Sequence, residues 1–170
     1  AEINMELANL VNNEAVDSLA EICSKLKIQL IHISSDYIFD GNISTPYTES
    51  SKTNPLNFYG ITKLEGEKKI LSHDLNRSVI IRTSWLYSSH ENNFVSKIVY
   101  KLNKGLDINV TCDETGSPTN AIDLATAILD IIPKLKNNKT EIYHFSNIGY
   151  CSRYDFAVKI NEFINTKSKI

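Results

Sequence analysis

The sequence is short of several things, and each shortage excludes something. No apolar run in its 170 residues approaches the roughly 18 needed to cross a bilayer. Charge of one sign is not in surplus. A formal net charge of −2 gives no electrostatic case for nucleic acid or an anionic membrane as partner. The only cysteines, Cys23, Cys112 and Cys151, are widely spaced, so reduced thiols in a cytoplasmic protein are expected rather than a disulfide framework. The histidines His32, His73, His90 and His144 stand apart and offer no metal-ligand spacing, so no metal is expected. The opening Ala1-Glu2-Ile3-Asn4 has no basic segment followed by an apolar one, and no signal peptide is visible. Asn-x-Ser/Thr triplets at Asn42, Asn76, Asn109 and Asn138 read as chance in an Asn-rich chain.

What is present is an alternation of helical and extended patterns. Apolar residues recur at helical spacing over 3–26 (Ile3, Leu7, Leu10, Val11, Leu19, Ile22, Leu26), followed by a strand-length run, 28–33. Residues 34–57 are rich in Ser, Asp, Asn, Thr and Pro and read as a long loop; loops of that length inside a domain are usually functional. A helix is expected over 58–71 and a β-branched strand over 78–83. Beyond it come a helix near 92–104, a short strand at 108–110 and a loop over 111–120. A helix over 121–132 is closed by Pro133, then a strand at 141–145 and a helix at 154–164 complete the pattern. His32 and His144 fall inside strands, where a satisfied core or edge histidine is expected.

This alternation argues an α/β fold: a partial doubly wound, Rossmann-like parallel sheet with helices on both faces. Such a fold should open with a strand, yet this sequence opens with a helix. Its glycines (41, 60, 66, 105, 116 and 149) form neither G-x-x-G-x-x-G nor G-x-G-x-x-G, the loops that hold a dinucleotide pyrophosphate. The expectation is a chain lacking its cofactor-clamping N-terminal part. Residues 1–110 would be the second half of the NAD(P)-binding domain, and 111–170 a small substrate-binding portion interleaved with the sheet.

The centre of the chemistry is Tyr59-Gly60-Ile61-Thr62-Lys63. Residues four apart on a helix share a face, so phenol and ammonium can point into one site. A cation beside a phenol favours the phenolate, which would lower the tyrosine pKa and let it exchange a proton with a carbonyl or alcohol. Alone the spacing is weak: Tyr100 and Lys104 repeat it with nothing around them that resembles a site. Context separates the first pair. Ser34-Ser35-Asp36-Tyr37 directly follows a buried-type strand, and ligands in open α/β sheets bind at the carboxyl ends of strands. Read without that context, the serines and aspartate are a turn and the aromatic residues are packing.

Seven segments, HISSDYIFDG (32–41), PYTE (46–49), NPLNFYGITKLEGE (54–67), RTSWLY (82–87), NNF (92–94), GSPT (116–119) and YHFSN (143–147), together resemble the dTDP-4-dehydrorhamnose reductase family of extended short-chain dehydrogenases. The resemblance covers nearly the whole chain in one register. It implies NAD(P)H-dependent reduction of the 4-keto group of a deoxy nucleotide sugar, with NADPH or NADH as cofactor. Tyr59 would be the general acid, Lys63 would hold the nicotinamide ribose and depress the Tyr59 pKa, and Ser35 would polarise the carbonyl. Ser34 and Ser84 would lie with Tyr59 and Lys63 along the cofactor. Asp36, Tyr37 and Trp85 would line the sugar pocket, with Asn93, Phe94 and the loop from Gly116 near the nucleotide. Glu114, Asn120 and Arg153 depart from the family's frequent Gln, aromatic and Trp, which bears on the exact nucleotide. The resemblance also implies glycine-loop strands ahead of Ala1 and a tail beyond Ile170. A homo-oligomer, or a partner chain completing the sheet, is expected.

Two other readings stand beside this one. A nucleotide-sugar epimerase or dehydratase would follow its Ser/Thr with Asp-Glu, whereas here Asp36-Tyr37 lacks the second carboxylate. A regulatory subunit like the methionine adenosyltransferase β-subunit keeps a similar ISSDY–FDG segment and would use the pocket for binding alone.

Overall fold

The computed structural model of the chain describes residues 1–90 and 92–170. Helix α1 (Met5–Asn9) runs through a π-helical turn (Leu10–Glu14) into α2 (Ala15–Leu26). Strand β1 (Ile31–Ser35), a 3-10 turn (Asp36–Ile38), helix α3 (Phe58–Ser72) and strand β2 (Val79–Thr83) follow. Next come β3 (Leu86–Tyr87), α4 (Phe94–Asn103), β4 (Thr115–Gly116), β5 (Thr119–Asn120) and α5 (Ala121–Ile131). A 3-10 turn (Ile132–Lys134), β6 (Glu141–His144), β7 (Cys151–Ser152) and α6 (Arg153–Ile164) close the order. The α/β class is as expected.

These elements form two compact units, Ala1–Thr83 with Ile131–Phe145, and Ser84–Asp130 with Ser146–Ile170. The units interleave along the chain, which returns to the first unit at Ile131–Phe145. The reason is strand pairing: β6 joins β2 in register Ile80↔Ile142, which draws 131–145 back to the first unit.

The first unit is built on a parallel sheet of order β1-β2-β6. Every residue of the central strand β2 is buried, as its β-branched Val79-Ile80-Ile81 run requires. Ile80 packs with Val16 and Ala20 of α2, Ile70 of α3 and Leu75 in a core flanked by Leu30 and Ile142. Expected as one helix, 3–26 has a π turn in its middle, where Asn12 meets α3: the Asn12 amide donates to Thr62 Oγ1 at 3.1 Å, and a Cβ at Gly66 would collide with the Asn12 carbonyl oxygen. Strand β1 starts at Ile31 rather than Ile28, because Ile28 N–H bonds back to the Cys23 carbonyl at the end of α2. Ser34 and Ser35 are therefore its last two residues, not the first of a loop.

In the second unit α4 packs on α6 through Ile98, Leu102, Ala157 and Ile160, around Ile108. Residues 108–110, expected as a strand, are not one. Ile108 N–H bonds to the Lys169 carbonyl at 2.9 Å and its side chain fills the interhelical core, so the apolar spacing there reports burial, not pairing. The stretch expected as loop, 111–120, holds β4, antiparallel to β7, and β5, parallel to β3.

Candidate active site

Helix α3 starts where it does because Asn57 caps it, its side chain accepting from Gly60 N–H at 2.7 Å. Tyr59 thus falls in the first turn, with Lys63 and then Glu67 at successive four-residue steps down the same face. Glycine at 60 is required: a Cβ there would strike the Tyr37 carbonyl, so only glycine lets the turn after β1 lie against α3 beside Tyr59. The Tyr37 and Tyr59 rings meet edge to face, 5.8 Å between centroids.

Ser35, at the carboxyl end of β1, accepts from Tyr37 N–H and donates to Asp36 Oδ1, both at 3.2 Å. Burial raises the Tyr59 pKa; hydrogen bonding from Ser35 opposes this, and the charges of Asp36 and Tyr37 add to the rise. The expected depression by Lys63 is therefore corrected: the phenol is held in its protonated form. The physical reason is where the ammonium goes. Lys63 Nζ donates to the Ile33 carbonyl at 2.7 Å and lies 3.4 Å from His32 Nε2. Desolvation lowers the Lys63 pKa, and the Glu67 carboxylate partly restores it.

Six expected residues, Ser34, Ser35, Asp36, Tyr37, Tyr59 and Lys63, thus sit at one end of the first unit's sheet and on the helix beside it. Two hydroxyls there, Ser34 Oγ and Thr83 Oγ1 at the ends of adjacent strands, are buried with no hydrogen-bond partner among the described residues. The register puts them on opposite faces of the sheet, and only Ser34 shares the face of His32, the Lys63 neighbour; buried polar groups are normally satisfied, so its orphan hydroxyl fits a polar ligand such as the nicotinamide end of a dinucleotide.

The other four belong to the second unit. Ser84 Oγ donates to the Ser117 carbonyl at 2.7 Å and ties the segment after β2 to the 116–119 loop. Trp85 has a φ of +43°, uncommon for a bulky side chain, and such strain concentrates at ligand sites. Its indole lies against Gly116, where any Cβ would run into the ring. Arg153 stacks on that indole 3.6 Å from its centroid and pairs with Glu114 at 3.5 Å. Two of the residues that depart from the family's pattern are therefore partners. Asn93 serves the local structure instead. Its oxygen accepts from Ser96 N–H to cap α4, and its amide donates to the Ser88 and His90 carbonyls. A ligand finds no free N–H on it.

Sequence reasoning missed the buried pair of Arg82 and Glu67. Arg82 Nε donates to both Glu67 carboxylate oxygens, at 3.0 and 3.2 Å, and Nη2 to Oε2 at 2.7 Å. Arg82 Nη1 also donates to the Glu49 carbonyl, which fastens the 40–57 loop above β2. One signal was available: Glu67 continues the four-residue step from Tyr59 and Lys63. No cluster able to hold a metal ion occurs among the described residues, and no helix among them is long and apolar enough to cross a membrane.

Comparison with known proteins agrees with this geometry. The RmlD substrate binding domain family model matches residues 1–170. A dTDP-4-dehydrorhamnose reductase of Sinorhizobium fredii is 38% identical over 151 residues, 86% of this chain and 51% of that protein. A dTDP-4-keto-6-deoxy-D-glucose reductase of Streptomyces niveus is 36% identical over 92% of this chain and 54% of its own length. Among solved structures, the dTDP-4-dehydrorhamnose reductase of Bacillus anthracis in complex with NADP superposes with a TM-score of 0.92 at 34% identity, covering 99% of this chain and 59% of that one. The chain spans about half the length of the curated relatives it matches. Matched from its first residue to its last, the chain belongs to the RmlD substrate-binding domain family.

Proposed function

We propose that the chain forms the catalytic and sugar-binding part of an enzyme that reduces the 4-keto group of dTDP-4-dehydro-L-rhamnose. The observation that carries this reading is Tyr59 held in the first turn of α3 against the Tyr37 turn at the end of β1, with Lys63 one turn along the same face. Relatives named as reductases of this sugar, and one solved with NADP, support the substrate and a nicotinamide cofactor.

When bound, the reduced nicotinamide supplies hydride to the carbonyl carbon. Tyr59 gives its proton to the C4 oxygen as negative charge develops there. Ser35 releases Asp36 and turns its hydroxyl to the same oxygen, which lowers the energy of the developing alkoxide. Lys63 has three N–H donors and two are engaged on the sheet, which leaves the third for a ribose hydroxyl. Ser34 offers its unpartnered hydroxyl to the carboxamide end. Asp36 and Tyr37 wall the sugar in the first unit; within the second unit, Ser84 and Asn93 hold the segments that carry Trp85 and the loop from Gly116. A cavity of about 330 Å³ bounded by Phe94, Lys97, Lys101, Glu114 and Arg153 carries the positive charge that nucleotide phosphates need. Three unpaired thiols support a reducing, cytoplasmic setting. The edge of β1, unpaired among the described residues, supports association with a further strand, from a second copy or another chain.

The test is turnover of dTDP-4-dehydro-L-rhamnose with NADPH by the protein as the cell makes it. Tyr59→Phe should lower kcat far more than it raises KM, since the proton is needed chiefly in the transition state. Unaffected turnover in that variant overturns the reading.

A further inference from the structure

Lys63 is held from two sides on the sheet. The Ile33 carbonyl takes one ammonium hydrogen at 2.7 Å, and His32 Nε2 lies 3.4 Å away at the edge of hydrogen-bonding range. We propose that His32 is a positioning residue: a neutral imidazole whose Nε2 lone pair fixes the rotation of the Lys63 ammonium and so aims its remaining N–H at the ligand. The inference rests on the functional reading above for what Lys63 does, but not for the contact itself.

Geometry supplies the argument. An ammonium on a four-carbon stem rotates freely unless its hydrogens are taken. A carbonyl alone fixes one N–H and leaves the other two to spin about it; a second acceptor in a different direction removes that freedom. The two acceptors come from consecutive residues of β1, whose side chains alternate between faces. The His32 ring therefore reaches Lys63 from the face that α3 covers, while the Ile33 carbonyl lies in the plane of the sheet. For Nε2 to accept, the ring proton must sit on Nδ1 and the ring must be neutral. The surroundings enforce neutrality: burial and the Lys63 charge bring the His32 pKa down to about 4. Glu67 is the other charged group acting on Lys63, and its carboxylate is tied up by Arg82. A neutral imidazole accepts from the ammonium without bringing a negative charge that would compete with a ligand for it.

The contact is tested first on this chain, by long-range proton–nitrogen NMR of the His32 ring. Between pH 5.5 and 8 on the protein, the expected result is a neutral ring protonated on Nδ1. A proton on Nε2, or a charged ring at neutral pH, overturns the proposal. In Lys63→Met the His32 pKa should rise by about one pH unit, as loss of a cation within about 4 Å implies. An unmoved pKa overturns it too, and this arm stands even if His32 variants fail to fold. In the protein as the cell makes it, His32→Leu should raise KM for the dinucleotide on the order of tenfold with a smaller change in kcat. His32→Gln, which keeps an uncharged acceptor, should recover most of that loss. Equal damage by Leu and Gln would mean that the ring only packs. Failure of the reductase reading would show separately, as turnover indifferent to Tyr59→Phe while the NMR result stands.

Discussion

The Glu67–Arg82 pair offers the sharpest test of how the site is held. Both side chains are almost fully buried, at 1% and 6% exposed, and three N–O contacts of 2.7 to 3.2 Å join them. Glu67→Gln keeps the shape and one acceptor but leaves the guanidinium charge unneutralised against the sheet. Removing one partner of a buried pair costs about 3–5 kcal/mol, because the other charge stays desolvated. A domain has only about 5–15 kcal/mol in total, so the variant should be near the edge of folding. In urea titration followed by circular dichroism, with a slope of about 2 kcal/mol per molar, the midpoint should fall by about 2 M. Replacing both residues, Glu67→Met with Arg82→Met, removes the buried charge altogether and should recover all but about 1–2 kcal/mol. Full recovery is not expected, since Arg82 also bonds the Glu49 carbonyl and lies over the Phe39 ring. A Glu67→Gln protein within about 1 kcal/mol of the parent would refute the reasoning, as would a double variant no better than the single one.

Other variants and conditions probe the rest of the molecule. Ser35→Ala should slow turnover about tenfold to a hundredfold, less than Tyr59→Phe, because one polarising donor is lost while the acid remains; a silent Ser35→Ala with an inactive Asp36→Ala would move the carbonyl elsewhere. Gly66→Ala should destabilise by about 1–3 kcal/mol in urea, since the clash with the Asn12 carbonyl outweighs the better helix propensity of alanine. Stability should fall between pH 6.5 and 4: His32 has its folded pKa depressed to about 4, so the unfolded chain binds the extra proton there and the loss is on the order of 3 kcal/mol at most. The lowered His144 pKa acts in the same direction, and His32→Gln should flatten the slope. Sedimentation of the 170-residue chain should reveal association through the open β1 edge; a clean monomer would refute it.

Much of the fold was legible because its signals are local. The β-branched run at 79–81 and the apolar spacing of the helices declare their own elements within the segment that carries them. Residues 108–110 misled because alternating apolar residues look the same whether they pair or plug a helical interface. The site divided in a similar way. Spacing put Tyr59 and Lys63 on one face but could not say what Lys63 would touch, because its acceptors come from a strand some thirty positions earlier. Arg82 and Glu67 were invisible as a pair for the same reason. The resemblance put Asn93 near the nucleotide, and only the hydrogen bonds reveal that holding the start of α4 already occupies its amide.

The correction at Tyr59 changes how the chemistry is driven. A lysine close to the phenol would favour phenolate, the form that takes a proton from an alcohol. Here the ammonium is drawn back to the Ile33 carbonyl and His32, and burial with the nearby Asp36 keeps the proton on the phenol. A protonated phenol is the form that can give a proton to a new alkoxide, as the proposed reduction requires. The same arrangement makes Ser35 more than a second donor. Its hydroxyl acts on Tyr59 in favour of losing the proton, and in the proposed reaction the same residue touches the substrate oxygen. As charge builds on that oxygen, Ser35 and Tyr59 respond together, one by donating a hydrogen bond and the other by giving up its proton.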